Sequence, residues 1–173
     1  KEKPEKMTIY ADAFKKCADN IIANGVPHNN WNLLQAHFIM NIALILEDDT
    51  KYADGEGRQY YIDYLVNQSS IRQWSLKKLA DYGFDAATGI WAECPGYSSV
   101  VVGDYASFVS LFDENLGMDL TKEIPVLSKA VEAMPQYLFP NRMVCGFGDT
   151  HPSTLRTDIF RYMIQNARTH GKF

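Results

Sequence analysis

The chain has no apolar run that could cross a bilayer. Its longest, Phe38 to Leu46, is interrupted by Asn41 and falls well short of the roughly 18 to 20 residues a spanning helix needs, so no membrane partner is expected. Cysteine is scarce. Cys17, Cys94 and Cys145 are odd in number and far apart, which fits neither a disulfide framework nor a zinc ligand set. Positive charge is also in short supply, with 17 Lys and Arg against 21 Asp and Glu for a net charge of -4, and no basic patch is interleaved with aromatics, so a nucleic-acid partner is excluded. There is no Gly-rich phosphate loop and no cluster of suitable ligand spacing, so neither a nucleotide cofactor nor a metal is expected. The opening Lys1-Glu2-Lys3-Pro4-Glu5-Lys6 lacks the apolar stretch of a signal peptide and reads as a mature or trimmed start.

What is present is ordinary globular material rich in rings. Hydrophobic residues make up 46% of the 173 residues and aromatics 13%, enough for one domain over 1–173 with a sizeable core. Apolar positions recur at the helical period almost throughout, and strand-like alternation is nearly absent, Val100 to Val102 being too short to count. Tyr10, Phe14, Cys17 and Ile21 line one face of a first helix closed by Gly25 and Pro27. A second, from about Trp31 to Glu47, is apolar on nearly all sides and is expected to be an inner helix. A third runs from about Gly57 to Asn67 and a fourth follows a Ser70 cap with Ile71, Trp74 and Leu79 before Gly83; these two are expected to pair antiparallel. A fifth ends at Leu116 before Gly117, a sixth spans about Lys122 to Met134 before Pro135, and a last opens at Pro152. The expected class is all-α, with about seven helices in hairpins.

Two junctions concentrate side chains suited to chemistry. One is Pro27-His28-Asn29-Asn30-Trp31; the other is Gly89-Ile90-Trp91-Ala92-Glu93-Cys94-Pro95-Gly96-Tyr97, which offers an aromatic platform, a carboxylate and a phenol beside a Pro-Gly turn. Together with Phe147-Gly148-Asp149 downstream, these motifs resemble, in order and helical setting over roughly residues 28 to 165, the heparinase II/III-like polysaccharide lyases. The resemblance implies helical hairpins forming part of an incomplete α/α toroid, an acidic polysaccharide or oligosaccharide as partner, and a periplasmic or secreted location in a bacterium. It also implies cleavage by β-elimination. The C5 proton of a uronate is removed, the carboxylate gains enediolate character and the O4 leaving group takes up a proton.

That chemistry sets two tasks. Developing charge on the carboxylate is best met by neutral donors, and an Asn amide supplies two without ionising; Asn30, with Asn29 as alternate, is the candidate. Proton transfer suits a phenol of reference pKa ~10 as an acid, or as a base if neighbours lower it; Tyr97 is the candidate acid and an alternative base. Trp91, Glu93, His28 and Trp31 are candidate substrate-binding residues, with His28 also able to assist as base. Plainer readings stand beside these. Either Asn caps the second helix; Tyr97 packs on Trp91; Glu93 is a solvated loop charge; Trp31 belongs to the inner-helix core; His37 is structural; and Asp149 stabilises the start of the last helix.

Family members continue into a large β-sandwich region that commonly supplies a catalytic histidine, and this chain has no such region. It is therefore expected to be either part of a longer lyase whose missing C-terminal β-domain is a partner or a reduced relative, and to show little or no activity alone. Two alternatives remain open: a glycoside hydrolase of the α/α-barrel kind using Glu93 and Asp149, and a non-catalytic carbohydrate-binding helical module.

Overall fold

The computed structural model describes residues 4–172; the opening Lys1-Glu2-Lys3 lies outside them. Among the described residues there are eight α-helices and two short 3-10 turns: α1 Pro4–Asn24, α2 Asn30–Ile45, α3 Arg58–Asn67, α4 Leu76–Gly83, α5 Pro95–Leu116, α6 Leu120–Glu123, α7 Val126–Ala133 and α8 Asp158–Thr169, with the 3-10 turns at Asp49–Lys51 and Met134–Tyr137. No strand forms there, only the isolated antiparallel bridges Phe84–Trp91, Leu138–Val144 and Met143–Thr154. The fold is all-α, as the periodicity predicts. The chain divides into two compact units, Lys1–Leu79 and Ala80–Phe173.

In the first unit α2 packs on α1 and α3. Leu33, Ala36, Ile39, Met40 and Ala43 on α2 are fully buried, but Trp31, Leu34, Phe38 and Ile45 are exposed, so α2 is buried on one side only and the expectation of an inner helix holds for that side. α1 departs further from its expected pattern. Tyr10 and Phe14 are exposed and so is Cys17, while the face that is buried contains Lys15 and Ala18. The Lys15 ammonium is accommodated there by both Asp54 oxygens, at 2.7 and 2.6 Å, and by the Tyr52 ring 4.7 Å away, which supplies the paired environment a buried charge requires.

The start of α4 also differs. Ser70 does cap a turn, its hydroxyl accepting from the N–H groups of Arg72 and Gln73, but the helix begins only at Leu76, where the Ser75 hydroxyl accepts from Lys78 N–H. Ile71, expected on the apolar face, is 85% exposed. Between those two turns the backbone is tied down by buried amides. Asn32 Nδ2 donates to Trp74 O at 3.0 Å and Asn32 Oδ1 accepts from Trp74 N at 2.9 Å; Gln73 Nε2 donates to Asn32 O, and Gln35 Nε2 donates to Gln73 Oε1.

In the second unit the long α5 packs against α6, α7 and α8. Val101, Tyr105, Phe108, Val109 and Phe112 are all buried on it, and Gly117 closes it at φ 61° in the left-handed region. The expected single helix from about Lys122 is broken into α6 and α7. Pro125 explains the break: it lacks an N–H and pushes the preceding residue out of the helical region, and Ile124 sits at φ -133°, ψ 76°. The last helix starts at Asp158, not Pro152, because residues 143–154 are occupied in bridges, with Val144 N donating to Ser153 O. The end of the chain is pinned by the Lys172 ammonium, which donates to Asp119, Thr121 and Asn166, all three buried.

One half-buried histidine makes stability respond to pH. Burial within α2 pushes the His37 imidazole down to about 4, whereas in the unfolded chain it titrates near ~6.5. Between those values only the unfolded state takes up the proton, so stability is fully present above the upper value and declines as pH falls toward the lower one. The melting temperature should therefore drop on acidification across that window, and His37→Gln should flatten the slope in calorimetric scans; an unchanged slope would assign the loss to other groups.

Candidate active site

The candidate site in the second unit is built on the turn that precedes α5. Asp85 organises that turn, its Oδ1 accepting from Thr88 N and Thr88 Oγ1 at 2.8 and 2.7 Å. Gly89 follows at φ 74°, and a Cβ there would come within 2.5 Å of the Lys129–Ala130 backbone, so no larger residue fits. The bridge from Phe84 to Trp91 then folds the chain back, and the Trp91 ring lies directly on Gly83 and edge-on to Phe84 at 5.0 Å. Trp91 is 3% exposed, so the indole is a core side chain and the expectation that it stacks on a sugar is corrected. Its one polar atom, Nε1–H, donates to Glu93 Oε2 at 2.6 Å, which satisfies the buried donor and holds the exposed carboxylate in place.

Tyr97 lies in the first turn of α5, behind Pro95 at the first helical position, rather than in a loop. Cys94 occupies the cap position without capping through its side chain. The cap comes from far along the chain: Thr150 Oγ1 accepts from Gly96 N at 2.8 Å, and a Cβ on Gly96 would press on that threonine. Gly148, at φ 62°, lets the same loop pass Cys94, where a Cβ would come within 2.9 Å of the cysteine's own. Thr150 and the Tyr97 N–H draw the Cys94 thiol below its ordinary range by hydrogen bonding to the thiolate.

This crossing brings Asp149 to Tyr97. The phenol donates to Asp149 Oδ2 at 3.2 Å, long for an O–H···O bond, and the bond together with the carboxylate's charge raises the Tyr97 pKa above its usual value. Asp149 therefore partners the candidate acid instead of stabilising a helix start, and Tyr97 rests on Asp149 rather than on Trp91. The Phe147-Gly148-Asp149 motif was the only sequence signal for that pairing.

The Asn pair lies in the first unit. Asn29 is the N-cap of α2, its Oδ1 accepting from Trp31 N at 3.0 Å, so the plainer reading holds for Asn29. Asn30 is the first helical residue, half-buried. His28 is exposed, adopts φ 52°, unusual for a residue with a Cβ, and sets its ring 5.4 Å from that of Trp74. Trp31 is 57% exposed, which corrects its placement in the helix core. Among the described residues no group of three or more His, Cys, Asp or Glu is arranged to hold a metal ion, and no helix is long and apolar enough to cross a membrane.

Comparison with known proteins bears on the second unit. Residues 87–172 match the family model described as endo-acting ulvan lyase 2nd domain. That stretch, just under half of the chain, contains Trp91, Glu93, Tyr97 and Asp149, and the match supports a polysaccharide lyase context for them. No curated protein and no solved structure matches the chain.

Asp149→Asn removes the charge that raises the Tyr97 pKa. The Tyr97 pKa should fall toward the ordinary tyrosine value, read as the titration midpoint of a 13C-labelled Tyr97 ring carbon by NMR. An unmoved midpoint would mean that Asp149 does not control the phenol.

Proposed function

We propose that the chain is part of a polysaccharide lyase that cleaves a uronate-containing glycan by β-elimination, with Tyr97 as the general acid. The observation that carries this reading is the Tyr97–Asp149 pair inside the stretch that matches the ulvan lyase domain. In the reaction the C5–H bond breaks, its electrons form the C4=C5 double bond, the C4–O4 bond breaks, and the departing O4 takes the Tyr97 proton. The phenolate left behind is reprotonated from solvent. A phenol with a raised pKa stays protonated at neutral pH and is still far more acidic than the alcohol it forms, so it is suited to this step. The C5 proton goes to a separate base, for which the heparinase II/III-like resemblance implies a histidine from a β-rich region of the same polypeptide.

The carboxylate-holding role is assigned to Asn30, with Asn29 as alternate, on the chemistry of the amide, whose NH2 donates without ionising; the helix cap occupies only the Asn29 oxygen. Glu93, held by the Trp91 indole, presents a fixed carboxylate to substrate hydroxyls. The hydrolase reading fits less well. Glu93 and Asp149 are both exposed, and neither sits in the apolar pocket that keeps a carboxylic acid protonated for glycosidic cleavage. Ulvan is the first substrate to test, in a periplasmic or secreted setting, with the helical units contributing to an α/α toroid.

Incubation with ulvan, monitored by the ultraviolet absorbance of unsaturated products, tests the proposal. The polypeptide that includes the β-rich region should form them, and Tyr97→Phe should lower the rate by ~10²–10⁴-fold, the usual contribution of a positioned acid. The 173-residue chain alone should be nearly inactive. New reducing ends without that absorbance would establish hydrolysis, and binding without either product would establish a non-catalytic module.

A further inference from the structure

The buried amides of the first unit hold in place a surface group that the acid–base chemistry does not use. Asn32 and Gln73 are fully buried, and their bonds fix Trp74 to the start of α2 from both sides of its peptide. Gln35 fixes the preceding strand of backbone in the same way, accepting from Val26 N at 2.8 Å and donating to Val26 O at 3.1 Å. Between these anchors His28 is held in the left-handed region with its ring against Trp74. Lys78, exposed on the first turn of α4, places its ammonium 4.2 Å from the Trp74 ring centre. Strained backbone persists only where its surroundings enforce it, and here the enforced product is an imidazole, an indole and an ammonium grouped at the surface.

That grouping has the chemistry of an anionic-sugar site. Ring surfaces complement the C–H faces of a pyranose, an ammonium and an imidazole supply charge and donors for a carboxylate or sulfate, and the rigid amide base removes the ordering cost on binding. We propose that His28, Trp74 and Lys78 form a subsite that binds an acidic sugar residue of the glycan. The identity of the ligand rests on the lyase reading; the existence of the site rests on the geometry of the first unit.

Titration calorimetry of the 173-residue chain with ulvan oligosaccharides, and with neutral dextran as control, tests it. Ulvan oligosaccharides should bind and dextran should not, with affinity falling as salt rises because the contact is exposed. Lys78→Gln should weaken binding about tenfold, the equivalent of one charge-assisted contact, and Trp74→Ala by a comparable factor. Trp74 contributes through its ring while its peptide keeps the bonds to Asn32; Lys78→Gln, at the surface, serves as the variant whose folding is not in question. Wild-type affinity in both Lys78→Gln and Trp74→Ala, or no binding of ulvan oligosaccharides by the wild type, overturns the subsite. Binding through Trp74 and Lys78 without unsaturated product from the longer polypeptide would uphold the subsite and sink the lyase reading; product formation with unaltered binding in both variants would do the reverse.

Discussion

The hydrogen bond from Gly96 N–H to Thr150 Oγ1 organises the second unit's site. α5 begins at a proline behind a cysteine that cannot cap it, so its free N–H groups need an acceptor, and the acceptor arrives on a loop more than fifty residues downstream. Everything chemical at this corner follows from that crossing. It sets Asp149 on the Tyr97 phenol, brings Gly148 past Cys94, and exposes the Cys94 thiol to the Thr150 hydroxyl. A helix cap is worth only about 1 kcal/mol, but here it also brings the Tyr97 phenol to the Asp149 carboxylate.

The first unit solves a similar problem with amides. A loop without regular structure precedes α4, and its backbone groups would be costly to bury unpaired. Asn32, Gln35 and Gln73 provide the missing partners, and because each amide both donates and accepts, a few side chains fix two stretches of chain. The consequence reaches the surface, where His28 and Trp74 are held together. In both units irregular backbone is stabilised by side-chain bonds from distant residues, and in both the held segment carries the side chains with chemical potential.

Much of the fold could be read along the chain. The helical period of Val101, Tyr105, Phe108 and Phe112, with Gly117 after them, locates α5 to its last residue, since a local repeat and a left-handed glycine are local properties. The third helix and the Asn29 cap were open to the same reasoning. Failures arose where one residue competed with a longer pattern or where burial depended on neighbours. Pro125 breaks a helix whose apolar spacing continues through it, and the strand-like bridges around Val144 and Thr154 delay α8 past Pro152. Lys15 is buried while Tyr10 and Phe14 are not, because a buried lysine needs only Asp54 and Tyr52, residues that periodicity does not register.

The candidate site divides along the same line. The amino-acid sequence by itself determined the all-α class, the apolar face of α5 with its stop at Gly117, and the motifs that resemble polysaccharide lyases, because spacing and residue chemistry are written in order along the chain. Only the tertiary structure decided that Trp91 is core, that Trp31 is open to solvent, and that the phenol faces Asp149. Those depend on which distant segment arrives to cover or contact a side chain, and burial and hydrogen-bond partnership exist only once the chain has folded.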